Sequence, residues 1–397
     1  MNAKLFLDIV FCGAARIALR PVCLLPVRKN RVLFVSYRGK QYSCNPRAIS
    51  EALERLSDGR VEIGWAFHDP EKFSFLRERG VTVLGDRTWA FLKYALTARV
   101  VCTNTYYKPF LPRRHGQFYL RTWHGGGAYK RVGRFEKLPP LRRLYVSMQQ
   151  QGASLYLSSS RAFTRLTLRD AFGYRGEVME KGMPRNDCLL MSDAASDQRA
   201  QTAERVRVAY GIAPETRVAL YAPTYREDAR ARDFALNTKS LRAALEARFG
   251  GRWIVAFRGH HVVAEDRSER QFGDADFSDY PDMQDILLAA DALITDYSSS
   301  IWDMSFTGKP VFLYCPDLRA YQTERDFFTD IRSWPFPLAE SNEALCENVR
   351  AFDADAYRKA VNAHHAALGS CETGRASEFA ALRILAECGF PEVTPKR

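Results

Sequence analysis

The stretch DALITDYSSSIWDMSFTGKP, residues 291–310, carries the clearest fold signal in the sequence. Its apolar run at 292–294 is typical of a buried strand, and the serines at 298–300 open a segment with a helical pattern. A helix N-terminus offers unpaired N–H groups and a positive dipole end, which suit a phosphate group. The stretch therefore predicts a strand, a phosphate-binding turn and a helix. Simple capping of that helix by Ser298 or Ser299 is the alternative.

The alternation of strand-like and helical patterns extends along the chain on both sides of this stretch. RVLFVSY, VEIGWAF and RVVCTN resemble strands, and PRAISEALERL and DRTWAFLKYAL resemble helices. Strands that alternate with helices form parallel sheets covered on both faces. The pattern pauses at small polar residues near 191–204 and then restarts. We therefore predict an α/β protein with a leader at 1–28 and two Rossmann-like domains at 29–192 and 205–397.

The charge balance predicts a partner that carries phosphate. The 397 residues include 58 Lys and Arg but only 46 Asp and Glu, which gives a net charge of +12. This surplus does not choose among nucleic acid, anionic lipid and phosphorylated substrates. The sequence contains neither a GxGxxG nor a GxxxxGK[ST] motif, which argues against nicotinamide cofactors and P-loop chemistry.

Candidate metal ligands are sparse in the sequence. The nine cysteines show no CxxC pair, so we expect reduced thiols and no structural zinc. Asp274 and Asp276, like Asp353 and Asp355, mimic a DxD metal motif but lie outside the predicted strand ends. We therefore expect neither a metal nor a cofactor.

Polar and cationic residues follow several predicted strands, at the end where doubly wound sheets bind ligands. His124 follows FYLRTW and precedes three glycines, so we expect its imidazole to project from the sheet and to act as a general base. A buried, hydrogen-bonded histidine is the alternative. Arg258 and His260 follow RWIVAF. We expect both halves of the chain to direct these groups into a cleft between the domains.

The first residues of the chain are apolar but interrupted by charge. Lys4, Asp8 and Arg16 leave no uncharged run long enough to span a bilayer, and Asp8 also interrupts any signal peptide. A helical wheel places apolar residues on one side and cations beside them: Phe6, Ile9, Val10, Gly13 and Ile17, with Arg16, Arg20, Arg28 and Lys29. This pattern favours a helix that lies in an anionic membrane surface. Packing against the body of the protein is the alternative.

Six segments, in order along the chain, resemble the CDP-glycerol glycerophosphotransferase family. They are TWHGGGAYK, KGMPRNDCL, YAPTYRED, FRGHH, ITDYSS with its flanks, and RDFFTD. The family includes teichoic acid primases and polymerases and related capsule enzymes. The resemblance implies a GT-B fold, with an N-terminal acceptor domain and a C-terminal domain that binds a CDP-activated donor. It also implies that an acceptor hydroxyl attacks the donor's β-phosphorus and releases CMP.

The resemblance implies a role for each residue that matches a family motif. These residues are His124 and His260 in catalysis, Arg258, Asp296, Ser298, Ser299 and Arg325 in donor binding, and Gly125, Gly126 and Lys130 in acceptor binding. Many members have Thr and Pro where this chain has Gly126 and Gly127, and many have Pro in place of His261. The acceptor, and the choice between glycerol and ribitol in the donor, therefore stay open.

The partners that this resemblance implies are a CDP-activated polyol and an undecaprenyl-diphosphate-linked saccharide acceptor. An enzyme acting on such an acceptor is expected to sit peripherally at the cytoplasmic face of the cell membrane, on anionic lipid. Two alternatives remain. A GT-B glycosyltransferase that uses a nucleotide sugar shares the sheets and the phosphate-binding turn. A nucleic-acid-binding protein explains the charge, but the sequence contains no recognisable nucleic-acid module.

Overall fold

The structure of the protein is a computed structural model. It describes residues 2–106, 108–136, 138–150, 152–190, 196–224, 236–259 and 273–391. His260, for which a catalytic role was predicted, lies outside these residues, as does His261.

The strands of the described residues form two parallel sheets. In chain order they are β1 Arg28–Val35, β2 Glu62–Phe67, β3 Thr82–Gly85, β4 Ala98–Thr103, β5 Phe118–Arg121, β6 Leu155–Leu157, β7 Glu177–Met179, β8 Arg217–Tyr221, β9 Trp253–Phe257, β10 Ala275–Asp276, β11 Ala292–Thr295, β12 Val311–Tyr314 and β13 Leu338–Ala339.

Helices connect the strands. In chain order they are α1 Asn2–Ala18, α2 Cys44–Ser57, α3 Trp89–Thr97, α4 Pro140–Gln150, α5 Ser196–Ala209, α6 Thr238–Phe249, α7 Met283–Ala289, α8 Ser300–Ser305, α9 Leu318–Glu324, α10 Asn342–Arg350, α11 Ala354–Leu368 and α12 Ala376–Glu387. A π-helical segment, Phe163–Ala171, lies between β6 and β7. No helix in the described part of the chain is both long and apolar enough to span a membrane.

The strand order places a topological switch point in each sheet. The first sheet runs β3-β2-β1-β4-β5-β6-β7 and the second runs β10-β9-β8-β11-β12-β13. The order reverses beside β1 and β4 in the first sheet and beside β8 and β11 in the second. Ligands of doubly wound sheets bind at the carboxyl ends of such strands. The predicted α/β class with two parallel sheets is confirmed.

The chain forms two compact units whose boundaries differ from the predicted domains. The first unit contains residues 1–124, 132–187 and 371–397, and the second contains residues 125–131 and 188–370. The chain therefore passes from the first unit to the second directly after His124. Residues 196–204, predicted to belong to a linker, form the beginning of α5.

The glycine-rich segment 125–131 belongs to the second unit because it packs there through several contacts. A Cβ atom on Gly126 would lie 2.4 Å from Cδ1 of Trp302, so only glycine fits. Lys130 forms an antiparallel bridge with Phe327. The Tyr129 hydroxyl lies 3.1 Å from Nε2 of His364.

The C-terminal helix α12 belongs to the first unit because its apolar side completes that unit's core. Ala380, Ile384 and Leu385 are fully buried in the cluster that covers the first sheet. Asp187 accepts hydrogen bonds from the backbone N–H groups of Ala376 (2.9 Å) and Ser377 (2.7 Å) and so caps the helix. The Asp of KGMPRNDCL therefore has a structural role.

The apolar N-terminal helix α1 packs on the first unit with one side and exposes the other. Cys12 is buried, and Nε of Arg16 donates to the Pro109 carbonyl at 2.7 Å. Five large apolar side chains of the helix are exposed: Phe6, Leu7, Val10, Phe11 and Ile17. The helix therefore packs on the protein and also presents an apolar surface, and its contact with a membrane stays a prediction.

We expect two histidines of α11 to make the second unit sensitive to acid. Burial lowers the pKa of His364 and of His365 to about 4 in each case. The unfolded chain, with ordinary histidine pKa values near 6.5, binds more protons between these limits, so stability is full above pH 6.5 and falls as the pH drops towards 4. At pH 4, the two residues together lower the free energy of unfolding by on the order of 2 kcal/mol. This value is discounted because both side chains are partly exposed to solvent.

Denaturant unfolding measured at several pH values tests this expectation. The variant His364→Gln/His365→Gln keeps polar atoms near the Tyr129 and Ser305 hydroxyls but does not titrate, so its stability should depend less on pH between 6.5 and 4. Identical pH profiles for the variant and the native sequence would rule the two histidines out as the cause.

Candidate functional site

His124 lies directly beyond β5, with its tautomer set by a backbone carbonyl. Nδ1 of the ring is 3.1 Å from the carbonyl oxygen of Asn104. Because a carbonyl oxygen can only accept, Nδ1 carries the hydrogen and Nε2 of the neutral ring keeps its lone pair. The ring is half-buried and contacts the Tyr37 ring, with centroids 5.8 Å apart. This arrangement suits the predicted general base.

The turn that presents His124 is strained. Trp123 has a φ of 59°, an unusual conformation for a bulky residue. Its carbonyl accepts from Nδ2 of Asn45 at 3.0 Å, and its ring packs against Phe172. Strained residues persist where the surrounding structure determines them, which is common at functional sites.

Two buried asparagines support this turn, and sequence reasoning did not single them out. Asn104 follows β4 at the switch point, and its Oδ1 accepts from the Tyr37 N–H at 2.9 Å. Asn45 bonds Trp123, and its Oδ1 accepts from the Arg185 N–H at 3.0 Å. Both side chains are fully buried. The signal for Asn104 was its position immediately after an apolar strand, where a buried amide must find partners.

Asp296 occupies the equivalent position at the switch point of the second sheet. Both carboxylate oxygens lie 3.0 Å from the Thr224 N–H, and Oδ1 accepts from the Thr224 hydroxyl at 2.6 Å and from the Tyr297 N–H. The residue is buried. Asp296 therefore braces the loop after β8 against the turn after β11. The contact of Asp296 with the donor, predicted from the sequence, stays a prediction.

The serines after Asp296 lie in the predicted turn, but the helix that follows is short. Helix α8 has only six residues. The Ser298 hydroxyl accepts from the Ser300 N–H at 3.3 Å, so the capping alternative applies to Ser298. The Ser299 side chain makes no capping hydrogen bond. Both serines are half-buried and not fully enclosed.

A half-buried lysine, Lys309, anchors the far end of the same stretch. The ammonium group of Lys309 donates to the carbonyl oxygens of Leu288 (2.8 Å) and Ala290 (2.5 Å). Burial lowers the pKa of Lys309 to about 8. These bonds tie the C-terminal end of α7 to the beginning of β12.

The two predicted donor-binding arginines have different surroundings. Arg258 follows β9, and its Nη1 donates to the carbonyls of Phe277 and Tyr280, both at 2.9 Å. These bonds hold the guanidinium at the carboxyl end of the sheet. Arg325 is exposed at the end of α9, and its side chain has no hydrogen bond or ion pair with any residue that the structure describes.

The predicted acceptor-binding residues fall in the second unit. Nζ of Lys130 lies 3.5 Å from the hydroxyl of Thr224, the residue that Asp296 holds. The structure therefore brings Lys130, Thr224 and Asp296 together. Gly126 lies against Trp302, as described above, so its packing accounts for the glycine without a ligand. Gly125 is the first residue of segment 125–131, which belongs to the second unit.

Both DxD-like pairs have structural roles. Asp274 accepts from the Val255 N–H at 2.8 Å and pairs with Arg242. Asp353 caps α11 by accepting from the N–H groups of Asp355 and Ala356. Within the described ranges, no group of three or more His, Cys, Asp or Glu side chains is arranged to hold a metal ion.

Two doubly wound sheets with polar clusters at their switch points are the architecture of the GT-B class. A solved structure of the wall teichoic acid polymerase TagF matches 98% of this chain with a TM-score of 0.77, at 23% sequence identity and over 99% of that chain. The predicted GT-B class is confirmed. At this identity, the likeness establishes the fold alone.

The profile of the family described as CDP-Glycerol:Poly(glycerophosphate) glycerophosphotransferase matches residues 17–385. The chain belongs to this family, and the resemblance seen in its motifs is confirmed. It is an enzyme of the glycerophosphotransferase type.

Two curated relatives are similar over most of this chain. The teichoic acid poly(glycerol phosphate) polymerase of Bacillus subtilis is 29% identical over 89% of this chain, which spans 48% of that relative. The teichoic acid glycerol-phosphate transferase of Staphylococcus aureus is 29% identical over 88% of this chain, which spans 91% of that relative. The chain thus spans about half the length of the first relative and most of the second.

Proposed function

We propose that this chain transfers glycerol phosphate from CDP-glycerol to a hydroxyl group of a lipid-linked saccharide or growing polymer and releases CMP. The reaction would serve teichoic acid or capsule-type polymer synthesis. Membership of the family supports the reaction type. The observation that carries the proposal is the His124 ring, whose Nδ1 is committed to the Asn104 carbonyl while Nε2 retains a lone pair.

In the proposed reaction, the acceptor oxygen forms a bond to the donor's β-phosphorus while its proton passes to Nε2 of His124. The bond between that phosphorus and the bridging oxygen breaks, and CMP leaves with the electron pair. Phosphoryl transfer depends mainly on positioning and on stabilisation of charge. Arg258 would supply positive charge to the donor phosphates, Ser298 and Ser299 would supply hydroxyl donors, and Lys130 would contact the acceptor.

Ribitol phosphate is the second candidate for the transferred group. The teichoic acid ribitol-phosphate primase of Bacillus spizizenii is 25% identical over 89% of this chain. Incubation of the protein with CDP-glycerol, CDP-ribitol or a UDP-sugar and a lipid-linked saccharide, followed by assay of CMP and UDP, tests the proposal. CMP from CDP-glycerol is expected. Release of UDP alone would favour a glycosyltransferase and overturn the proposal.

We further propose that the enzyme lies peripherally on an anionic membrane at the cytoplasmic face, through the exposed side of α1. Phe6, Val10 and Ile17 are more than half exposed, at 57%, 51% and 66%. Arg20 and Lys29 nearby are also exposed and would attract anionic head groups. An apolar surface beside cations is typical of interfacial helices.

We expect Phe6→Gln/Val10→Gln/Ile17→Gln to abolish sedimentation with phosphatidylglycerol vesicles and to leave the melting temperature nearly unchanged. Exposed side chains contribute little to folding, whereas their burial in a bilayer contributes roughly 1.5–3 kcal/mol each. Deletion of residues 1–26 is a poorer test because it also removes Cys12, Leu19 and Val22, which are buried.

Val208→Gln provides the matched control, since Val208 is 67% exposed but lies on α5 in the second unit. This variant should still sediment with vesicles. Undiminished sedimentation of the triple variant would rule out α1 as the membrane contact.

A further inference from the structure

The first unit contains a cavity of about 340 Å³ between α1, α4 and the carboxyl end of the first sheet. Its size falls at the lower end of the range for small-molecule sites. Aromatic and aliphatic side chains form much of the wall, among them Phe11, Phe91, Phe110 and Leu111. Arg38, His68 and Lys108 also line it, as does Asp8 on the α1 side. The cavity therefore combines an apolar wall with cationic side chains at the end of the sheet.

Three polar side chains of the cavity wall, those of Arg38, His68 and Lys108, retain unused hydrogen-bonding capacity. Nζ of Lys108 donates to Oδ2 (2.7 Å) and to the carbonyl (3.3 Å) of buried Asp86, which leaves one of its three N–H donors. Nδ1 of His68 lies 2.5 Å from the same Oδ2, so its Nε2 is not used by Asp86. The Arg38 guanidinium makes no hydrogen bond or ion pair with any described residue. The guanidinium of Arg38 and the remaining N–H group of Lys108 match the oxygens of a phosphate.

A strained turn places Arg38 at the cavity. Tyr37, Arg38 and Gly39, directly after β1, have φ values of 43°, 60° and 92°. Left-handed residues in succession cost free energy and mark sites where position matters. A Cβ atom on Gly39 would lie 3.3 Å from the Ala66 carbonyl and from the His68 N–H, so the turn also lies close against the end of β2.

The same turn connects the cavity to the surroundings of His124. Tyr37, next to Arg38, contacts the His124 ring. Thr103 lines the cavity and precedes Asn104, whose carbonyl accepts from His124. A ligand held in the cavity therefore lies beside the elements that orient the predicted base.

Helix α1 lies between this cavity and the surface that we propose to contact a membrane. Asp8, Phe11 and Cys12 line the cavity from α1, and the opposite side of the helix exposes Phe6, Val10 and Ile17. One helix thus separates the cavity from the surface proposed to contact lipid. A ligand with a hydrocarbon chain and a phosphate end fits both surroundings.

We propose that this cavity binds the diphosphate-proximal end of the lipid in a polyprenyl-diphosphate-linked saccharide acceptor. The diphosphate lies on Arg38 and Lys108, and the first hydrocarbon units lie against Phe91 and Phe110. The volume holds this end of the lipid and not the whole chain. The inference rests on the proposed function, because it names the lipid part of that acceptor.

Calorimetric titration with farnesyl diphosphate, inorganic diphosphate and farnesol tests the binding site. Farnesyl diphosphate should bind most tightly, and Arg38→Asn should raise its Kd about 10-fold or more. Asparagine tolerates the left-handed backbone, so the change removes the cation without new strain. Val35→Phe, which fills the cavity wall, should also weaken binding, with the melting temperature checked for both variants.

Arg55→Gln is the control, since Arg55 is exposed on α2 and does not line the cavity. The Kd of this variant for farnesyl diphosphate should match that of the native protein. Equal affinity for inorganic diphosphate and farnesyl diphosphate would indicate a free-phosphate site and overturn the lipid assignment. If farnesol binds the native protein as tightly as farnesyl diphosphate does, the cations have no role in binding.

Activity assays separate failure of this inference from failure of the proposed function. Arg38→Asn should raise KM for a lipid-linked acceptor and leave kcat/KM for a lipid-free saccharide analogue unchanged. If the native protein releases no CMP with either acceptor, the proposed function fails. If it is active and both cavity variants retain the native KM for the lipid-linked acceptor, the cavity is not the lipid site.

Discussion

His124→Ala is expected to lower kcat for CMP release by at least about 10², because it removes the only base proposed for the acceptor proton. Folding should be nearly unaffected. The ring is half-buried, and its Nδ1 donates to the Asn104 carbonyl. Steady-state CMP release, measured together with the melting temperature, provides the test.

His124→Asn sharpens this test. The asparagine amide can still donate to the Asn104 carbonyl but has no atom in place of Nε2, so the loss of activity should be as large. His115→Ala is the matched control, since His115 is an exposed histidine of the same unit. Substantial activity in both His124 variants would reassign the base. A large fall in melting temperature with activity retained would make His124 a structural residue.

Arg258→Ala is expected to raise the Kd for CDP-glycerol by about 10- to 100-fold. A hydrogen bond to a charged group contributes roughly 1.5–3 kcal/mol. Replacement of Ser298 and Ser299 by Ala should weaken binding less, since neutral hydrogen bonds contribute about 1 kcal/mol each. Calorimetric titration of CDP-glycerol into each variant measures the order of these effects.

The control for Arg258 must also lose a bond to the backbone, because Arg258 donates to the carbonyls of Phe277 and Tyr280. Arg217→Ala meets this need. Arg217 donates to the Phe249 carbonyl at 2.9 Å but lies at the amino end of β8, away from the predicted site. The Kd of this variant for CDP-glycerol should match that of the native protein. Unchanged donor affinity in the Arg258 and serine variants would place the nucleotide site elsewhere.

The sequence by itself determined the elements of local structure and their order. The apolar run at 292–294 lies within β11, and the serines follow it as predicted. Such patterns are readable because burial of a strand on both faces requires consecutive apolar residues, and because turns need particular residues. The position of His124 at the end of β5 followed from the same reasoning, and the motifs established the family.

Tertiary structure alone decided which distant groups each residue contacts. The backbone N–H and the hydroxyl of Thr224 donate hydrogen bonds to the carboxylate of Asp296. The Trp302 ring leaves no room for a side chain at Gly126. Helix α12 joins the first unit because its buried side completes that core and Asp187 caps it. These contacts join residues far apart in the chain, and their geometry leaves no periodic trace in the sequence. Local patterns report that a side chain is buried, but only the folded chain determines what it is buried against.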